Sequence, residues 1–378
     1  MEKKKERESG IELLKIIAIF FIVISHVTQT LTTKEKFTNL GFTNGFIELT
    51  PTTDTQYFIL MLMRHLGALA NVIFVVCSSW FLVENKKDNK DKIIKLWGNT
   101  VFISVIYLII FSISNVDISK KEIIKELFPN IFENNWFITV YLIFLMIIPF
   151  LNGIIEHLDK KQLFRVTFIL FTMYFVIGFF KTTFEASEII FFLTIYFITA
   201  YSKKYMQEFW NKKNCANMII AIGIISIIIL ELLTNYLGFK FNFMRSKMLY
   251  WVKNNNPIFV AIAIGLFYRF KKIKFKNKFI NIISSLSIYI YLIHENLLFR
   301  NYTRVYIWHS IFEKIGYNYV IIETLIYAII LFICVTIISY IYKLTIEKII
   351  NLLIGKILKN KTMINIYNKF ENRLLSIK

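Results

Sequence analysis

The sequence has 378 residues, of which 56% are hydrophobic, and several apolar stretches reach the roughly 18 to 20 residues that a helix needs to cross a bilayer. The net charge of +20 does not indicate a nucleic-acid-binding protein, because the basic residues form short clusters between apolar segments rather than one continuous stripe. Three scattered cysteines predict neither a disulfide framework nor a metal-binding motif. Together these features predict a polytopic membrane protein.

Apolar segments separated by polar breaks predict an all-α integral membrane protein with about ten transmembrane helices. In chain order the segments are 11–31, 57–83, 93–114, 136–152, 163–180, 189–202, 217–237, 257–270, 280–299 and 317–342. The sixth and eighth are short for a bilayer span, so we expect them to be tilted, extended by flanking residues or partly re-entrant. The first follows a Lys-rich approach and lacks an Ala-x-Ala-like cleavage site, which predicts a retained helix rather than a signal peptide.

The distribution of Lys and Arg predicts the orientation, because basic loops stay in the cytoplasm. With the N-terminus inside, the cytoplasmic segments hold more than twice as many basic residues as the outside segments, so both termini are predicted to be cytoplasmic. Residues 1–342 then form one multi-pass transmembrane domain. Residues 343–378 mix apolar side chains with Lys at roughly helical spacing, which predicts a basic amphipathic tail that binds anionic membrane lipids; a disordered tail is the alternative.

The first apolar segment contains two titratable groups, Lys15 and His26, which are costly in a membrane and are therefore candidates for function. Their separation of eleven residues puts both on one helical face, about 16 Å apart in depth. Glu12 lies near that face, one turn before Lys15. We predict Lys15 near the cytoplasmic surface and His26 deeper, as a proton acceptor. Each residue taken alone has an alternative interpretation. Lys15 can be a lysine near a helix end whose ammonium group extends to the membrane interface, and His26 can be a packing residue that is hydrogen-bonded.

A second histidine, His294, lies in the ninth segment, about as far from the cytoplasmic side as His26 lies in the first. The two imidazoles are therefore predicted to occupy one layer of the membrane. Contact between their helices does not follow from the sequence, and a hydrogen bond at the outer interface is the alternative for His294.

The segment that carries Lys15 and His26 also resembles a known family. Arg7, the run from Ile11 to Ala18 and then His26 resemble the opening of the membrane-bound acyltransferase type 3 family. In that family the first helix has an Arg or Lys, then ten residues, then His, preceded by an acidic residue. Lys15 and His26 match this spacing.

Later stretches are similar to further motifs of the same family, in the same order. They are Phe74–Leu82, with Trp80 where Gly is usual; the basic pair Lys92 and Lys95; Asn135–Ile138; and Tyr291–His294, followed by Glu295 where Pro is common. The resemblance extends from about residue 7 to residue 342, which agrees with the ten-helix layout of the family.

The resemblance implies a membrane-bound, acyl-CoA-dependent O-acyltransferase. Such proteins take an acyl group, usually acetyl, from cytoplasmic acyl-CoA and transfer it to a hydroxyl of a cell-surface glycan or lipid-linked sugar. His26 is then the expected general base, with Lys15, Glu12 and His294 in the catalytic site. Lys92 and Lys95 are expected to bind the phosphates of CoA, although ordinary cytoplasmic loop charge is the alternative for both. We expect a bacterial plasma membrane protein that needs no metal and binds no nucleic acid.

A transporter or exporter of a polysaccharide intermediate is a second hypothesis. An intramembrane path of polar groups would then be built from Lys15, His26, Glu231, His294 and Glu323. The sequence contains no inverted repeat and no matched pair of Gly- or Pro-broken helices, so the transferase is the favoured hypothesis.

Overall fold

The computed structural model describes residues 8–47, 55–85, 89–132, 134–180, 188–241, 243 and 250–358, and these ranges contain helices and loops but no strand. The helices are α1 Ser9–Leu31, α2 Lys34–Thr38, α3 Thr55–Leu82, α4 Lys90–Ile113, α5 Lys120–Leu127, α6 Trp136–His157, α7 Lys160–Phe171, α8 Gly178–Phe180, α9 Glu188–Tyr205, α10 Gln207–Asn211, α11 Cys215–Lys240, α12 Pro257–Lys271, α13 Lys278–Ser284, α14 Ser287–His294, α15 Arg304–Ile315, α16 Val320–Leu344 and α17 Ile346–Leu358. One π-helical stretch joins α7 to α8, and another precedes α15.

Seven helical stretches in the described ranges are long and apolar enough to cross a membrane, namely α1, α3, α4, α6, the run from α7 to α8, α11 and α16. Nine of the ten predicted segments each coincide with one helical run, but α9 carries three charged residues and α12 has only 15 residues. The chain is therefore an all-helical, multi-pass membrane protein. Ten crossings and cytoplasmic termini stay predictions, and Lys3, Lys4, Lys5 and Arg7 lie outside the described residues.

The ninth predicted segment, 280–299, is wrong as a single helix. It is divided into α13 and α14 by a turn at Ser285 and Leu286, and α14 ends at His294. Ser285 donates its hydroxyl to the carbonyl of Ile282, and Ser287 donates to the carbonyl of Ser284 at 2.8 Å. Serine side chains that bind nearby carbonyls compete with helical hydrogen bonds, which gives a local reason for the break.

The predicted tail at 343–378 is described only in part. Its helix α17 packs against α4, where Ile350 and Ile354 lie over Gly98. Residues 359–378 lie outside the described ranges, and binding of the tail to lipid stays a prediction.

Helix α1 is the central element, with α3, α12, α13, α14, α15 and α16 packed around it. Its first turn is tied to the neighbouring chain by Ser9, which donates its backbone N–H to the carbonyl of Phe275 and accepts from the N–H of Asn277 at 2.8 Å. By contrast, α11 and α16 expose rows of large aliphatic side chains, such as Ile225 and Ile333. In a bilayer these apolar faces contact lipid.

Gly10 lets α1 approach the end of α12 closely. A Cβ atom at this position would lie 2.4 Å from the carbonyl oxygen of Phe270 and 2.5 Å from that of Ile273, and both are backbone atoms that cannot rotate away. We expect Gly10→Ala to destabilise the protein by about 1–3 kcal/mol, the usual cost of overpacking. Thermal unfolding of the purified protein measures this effect. In the matched control Gly153→Ala, the new Cβ meets nothing within 4 Å, so unfolding at the wild-type temperature or slightly above is expected.

Candidate functional site

The two histidines selected from the sequence are in contact. His26 on α1 and His294, the last residue of α14, approach with His26 Nδ1 3.1 Å from His294 Nε2. The prediction that both imidazoles occupy one layer agrees with this geometry. His294 is fully buried, whereas the His26 side chain keeps 19% of its surface exposed, so only His26 can be reached by a substrate.

The hydrogen bonds around the pair fix which nitrogen carries each proton. His294 Nδ1 lies 2.6 Å from the carbonyl oxygen of Ile290, which can only accept, so His294 is protonated on Nδ1 and its Nε2 is an acceptor. His26 Nδ1 faces that acceptor and also lies 2.8 Å from Oε2 of Glu295. Both neighbours of His26 Nδ1 are therefore acceptors, so the proton of neutral His26 lies on Nδ1. Its Nε2, which has no hydrogen-bond partner in the described residues, presents a free lone pair.

Glu295 is the carboxylate of this site and is itself held by two arginines. Arg304 donates from both Nη atoms to Oε2 at 3.1 Å, and Arg300 donates to Oε1 at 3.0 Å. Glu295 and Arg304 are both buried, at 6% and 1% exposure. A buried carboxylate with two guanidinium partners stays ionised and keeps its orientation. It can therefore orient His26 and stabilise a positive charge on the imidazole.

The backbone of α1 near His26 is also held on several sides. The carbonyl of Val27 accepts from the indole N–H of Trp308 at 3.0 Å, and Ser25 donates to the carbonyl of Arg64 at 2.9 Å. These bonds join α1 to α15 and α3, so the imidazole stands on a rigid element.

Lys15 and Glu12, one turn apart on α1, form an ion pair with Nζ and Oε2 separated by 2.7 Å. Ser284 donates its hydroxyl to the same carboxylate, which fixes Glu12 between α1 and α13. Lys15 lines a cavity of about 440 Å³ at the end of α1 that carries its first turns. The polar lining consists of Lys15, Ser78, Asn85, Asn89, Lys92, Tyr141, Ser284, Ser285 and Ser287.

The two loop lysines are placed differently with respect to this cavity. Lys92 lines it and donates to the hydroxyl of Tyr141, another lining residue, at 2.8 Å. Lys95 lies one turn further along α4 and is not among the lining residues. The lining also includes Asn89, whose Nδ2 is buried and has no partner among the described residues.

A thin aromatic layer separates the cavity from the histidine pair. Phe137 lines the cavity, and its ring centroid lies 6.0 Å from that of Tyr291. The Tyr291 ring in turn lies 6.4 Å from that of His26. The distance along α1 from Lys15 to His26 is about 16 Å. A long, thin ligand that entered beside Lys15 would thus meet His26 after these two rings.

The cluster offers atoms with a spacing that suits a metal ion, since one ligand atom each from His26, His294 and Glu295 lies within 4.8 Å of the others. The same carboxylate, however, binds two guanidinium groups, and His26 Nδ1 already faces both of the other atoms. The adjacent positive charges disfavour a cation. The residues fit a hydrogen-bonded acid–base set better than a metal site.

The remaining polar groups of the proposed transport path are dispersed. Glu231 on α11 pairs with His65 on α3 at 3.1 Å, and both are buried. The carboxylate oxygens of Glu323 on α16 have no partner within the described ranges. Glu231 and Glu323 therefore make no hydrogen bond or ion pair with the His26 cluster.

Three residues of the site were missed by the sequence analysis: Glu295, Arg300 and Arg304. A signal for Glu295 was present, because an acidic residue stands where Pro is common in the related motif. The arginines carried no such signal in the hydropathy pattern: they lie five and nine residues after Glu295, on the helical run that follows the end of α14.

A comparison with protein families finds that the model described as an acyltransferase domain matches residues 8–344, nearly the whole described chain. Searches of curated proteins and of solved structures each gave no match.

Proposed function

This chain belongs to the acyltransferase 3 family and is a membrane acyltransferase, and from this premise we propose that it transfers an acyl group, most often acetyl, from cytoplasmic acyl-CoA to a hydroxyl of a cell-surface glycan or lipid-linked sugar. The observation that carries the proposal is the free Nε2 of His26, on an imidazole oriented by Glu295 and separated from the cavity beside Lys15 by the rings of Phe137 and Tyr291.

The donor enters from the side on which α1 begins. The phosphates of CoA lie at the mouth of the cavity, where the ammonium groups of Lys15 and Lys92 and the amide of Asn89 can bind them. The pantetheine arm extends along α1 past Phe137, and its thioester lies near His26. Glu12 holds Lys15 in place through the ion pair at 2.7 Å.

His26 acts as general base. Its Nε2 takes the proton of the acceptor hydroxyl while the hydroxyl oxygen attacks the thioester carbonyl. The carbon–sulfur bond then breaks, and the imidazolium returns the proton to the leaving thiolate to give free CoA. Glu295 stabilises the imidazolium, and His294 helps to hold the Nδ1 proton.

Binding and transfer are tested separately. Binding of radiolabelled acetyl-CoA to the purified protein in lipid nanodiscs tests the donor and also separates a transferase from a transporter of saccharides. Transfer is tested by expression in a host with the native glycan and measurement of acetyl esters by mass spectrometry. The absence of acetyl-CoA binding and of new esters would contradict the proposal.

The cavity also gives a prediction for the donor site. Lys92→Gln is expected to raise KM for acetyl-CoA roughly tenfold, because one charge-assisted hydrogen bond to a phosphate is lost. Lys95→Gln should have a smaller effect, since only Lys92 lines the cavity. Steady-state kinetics measure both, and Lys161→Gln, an exposed lysine of α7, is the charge-matched control. Equal KM values for wild type and Lys92→Gln would remove Lys92 from the donor site.

A further inference from the structure

Beside His26, on the side away from the donor cavity, three basic side chains are close to one another. Arg304 and Arg300 each form an ion pair with Glu295. Lys36 on α2 is near enough for the charges of Arg304, Arg300 and Glu295 to act on its ammonium group. Within the described residues, Glu295 is therefore the one carboxylate in contact with this group of three basic side chains. We call Lys36, Arg300 and Arg304 the basic mouth.

The next acidic group does not neutralise the basic mouth. Glu126 on α5 is fully buried and accepts from the side-chain amide of Asn296 at 2.9 Å, while its charge acts on Arg300 only at longer range. Burial raises the pKa of Glu126, which favours its uncharged form. The surroundings of His26 therefore carry an excess of positive charge.

Two residues of the basic mouth, Arg300 and Lys36, have N–H donors that no hydrogen bond within the described residues uses. Arg300 is half-buried, and only one of its five N–H groups is used within the described residues, in the bond to Glu295. Lys36 is half-buried as well, and its ammonium group has no partner in the part of the chain that the structure describes. Burial, strengthened by the charge of Arg304, lowers the pKa of Lys36 to about 7. A half-buried ammonium with no carboxylate in direct contact is costly unless a ligand supplies one.

We propose that Arg300 and Lys36 bind an anionic group of the acceptor, so that the acceptor is a glycan that carries a phosphate or a carboxylate close to the hydroxyl to be acylated. This inference rests on the proposed acyl transfer and names the class of its acceptor. The guanidinium of Arg300 offers the planar pair of donors that both oxyanions prefer, and Lys36 adds a second charge. An acceptor held in this way presents a neighbouring hydroxyl to the free Nε2 of His26.

Direct binding tests the inference without the need for turnover. Glucose 1-phosphate, glucuronate and the uncharged methyl glucoside are titrated into the wild-type protein in nanodiscs, with calorimetry as the readout. We expect at least one charged sugar to bind more tightly than methyl glucoside, and whichever does so identifies phosphate or carboxylate as the bound group. Arg300→Gln and Lys36→Gln should each weaken that binding about tenfold, the usual effect of a lost charge-assisted hydrogen bond.

Controls separate this result from other causes. Lys314→Gln removes an exposed charge at the far end of α15 and should bind the charged sugar like the wild type. Lys36→Gln removes no hydrogen bond of the described structure, so it tests the inference even if Arg300→Gln unfolds. Equal affinities for charged and uncharged sugars, or unchanged affinity in Lys36→Gln, would overturn the inference. A wild type that binds the charged sugar but transfers no acyl group would instead contradict the proposed function.

The dependence on pH gives a second readout of the same site. Lys36 is charged below about pH 7 and loses its charge above it, so affinity for glucuronate should fall between pH 6 and pH 9. The charged groups that act on Lys36 are Arg304, Arg300 and Glu295. A His26→Gln background removes the nearby imidazole as another titrating group. In that background the fall should persist, and adding Lys36→Gln should abolish it.

Discussion

Replacing His26 with glutamine is expected to lower the rate of acyl transfer by about 10²–10⁴-fold, the usual contribution of a general base. Glutamine still fills most of the space and can donate an amide hydrogen to Glu295 in place of the Nδ1–H. It has no lone pair that can take a proton from a hydroxyl at neutral pH. The loss should therefore lie in kcat, while binding of acetyl-CoA at the cavity beside Lys15 remains at the wild-type level.

A histidine elsewhere in the protein provides a matched control. His65 is also buried and also paired with a glutamate, Glu231, at 3.1 Å, but it makes no contact with the His26 cluster. Glutamine can preserve its hydrogen bond, so His65→Gln should transfer acyl groups at nearly the wild-type rate. If His26→Gln inserts into the membrane, binds acetyl-CoA and forms esters as fast as the wild type, His26 is not the base.

The sequence was sufficient for the parts of the site that lie on one helix. Lys15 and His26 share a face of α1 because their spacing is close to a whole number of turns, and Glu12 reaches Lys15 because it is one turn away. In the structure Glu12 and Lys15 form an ion pair. His294 was selected from its depth and from the family-like motif Tyr291–His294, and its contact with His26 depended on how α14 packs against α1.

The parts of the site that the sequence did not predict, Glu295 and its two arginines, depend on where α14 ends and on the residues that follow it. Because α14 ends at His294, Glu295 leaves the helix and reaches His26 instead of continuing along the helical face. Arg304, the first residue of α15, reaches Glu295 from the helical run that follows the end of α14. A hydropathy pattern records how long an apolar segment is, but not whether two serines divide it, and so 280–299 was predicted as one helix.

Glu295→Gln is the substitution with the second-largest expected effect, a loss of kcat on the order of 10²–10⁴-fold, as is found when the carboxylate behind a general-base histidine is removed. An amide at this position can donate to His26 Nδ1, which favours the tautomer with the proton on Nε2 and so removes the lone pair that accepts the substrate proton. KM for acetyl-CoA should not change, because Glu295 does not line the donor cavity. Steady-state kinetics with purified protein separate the two parameters.

Stability has to be measured beside activity, because Glu295 also balances Arg304 and Arg300. Removing one partner of a buried ion pair costs about 3–5 kcal/mol, so the Glu295→Gln protein is expected to unfold at lower temperature. Glu295→Asp retains the charge and should recover much of the stability, but its shorter side chain reaches His26 less well and should recover only part of kcat. If Glu295→Gln remains folded and transfers acyl groups at the wild-type rate, Glu295 does not orient His26 and only balances the charge of the arginines. His294, whose Nε2 lies 3.1 Å from His26 Nδ1, is then sufficient to hold the proton on Nδ1.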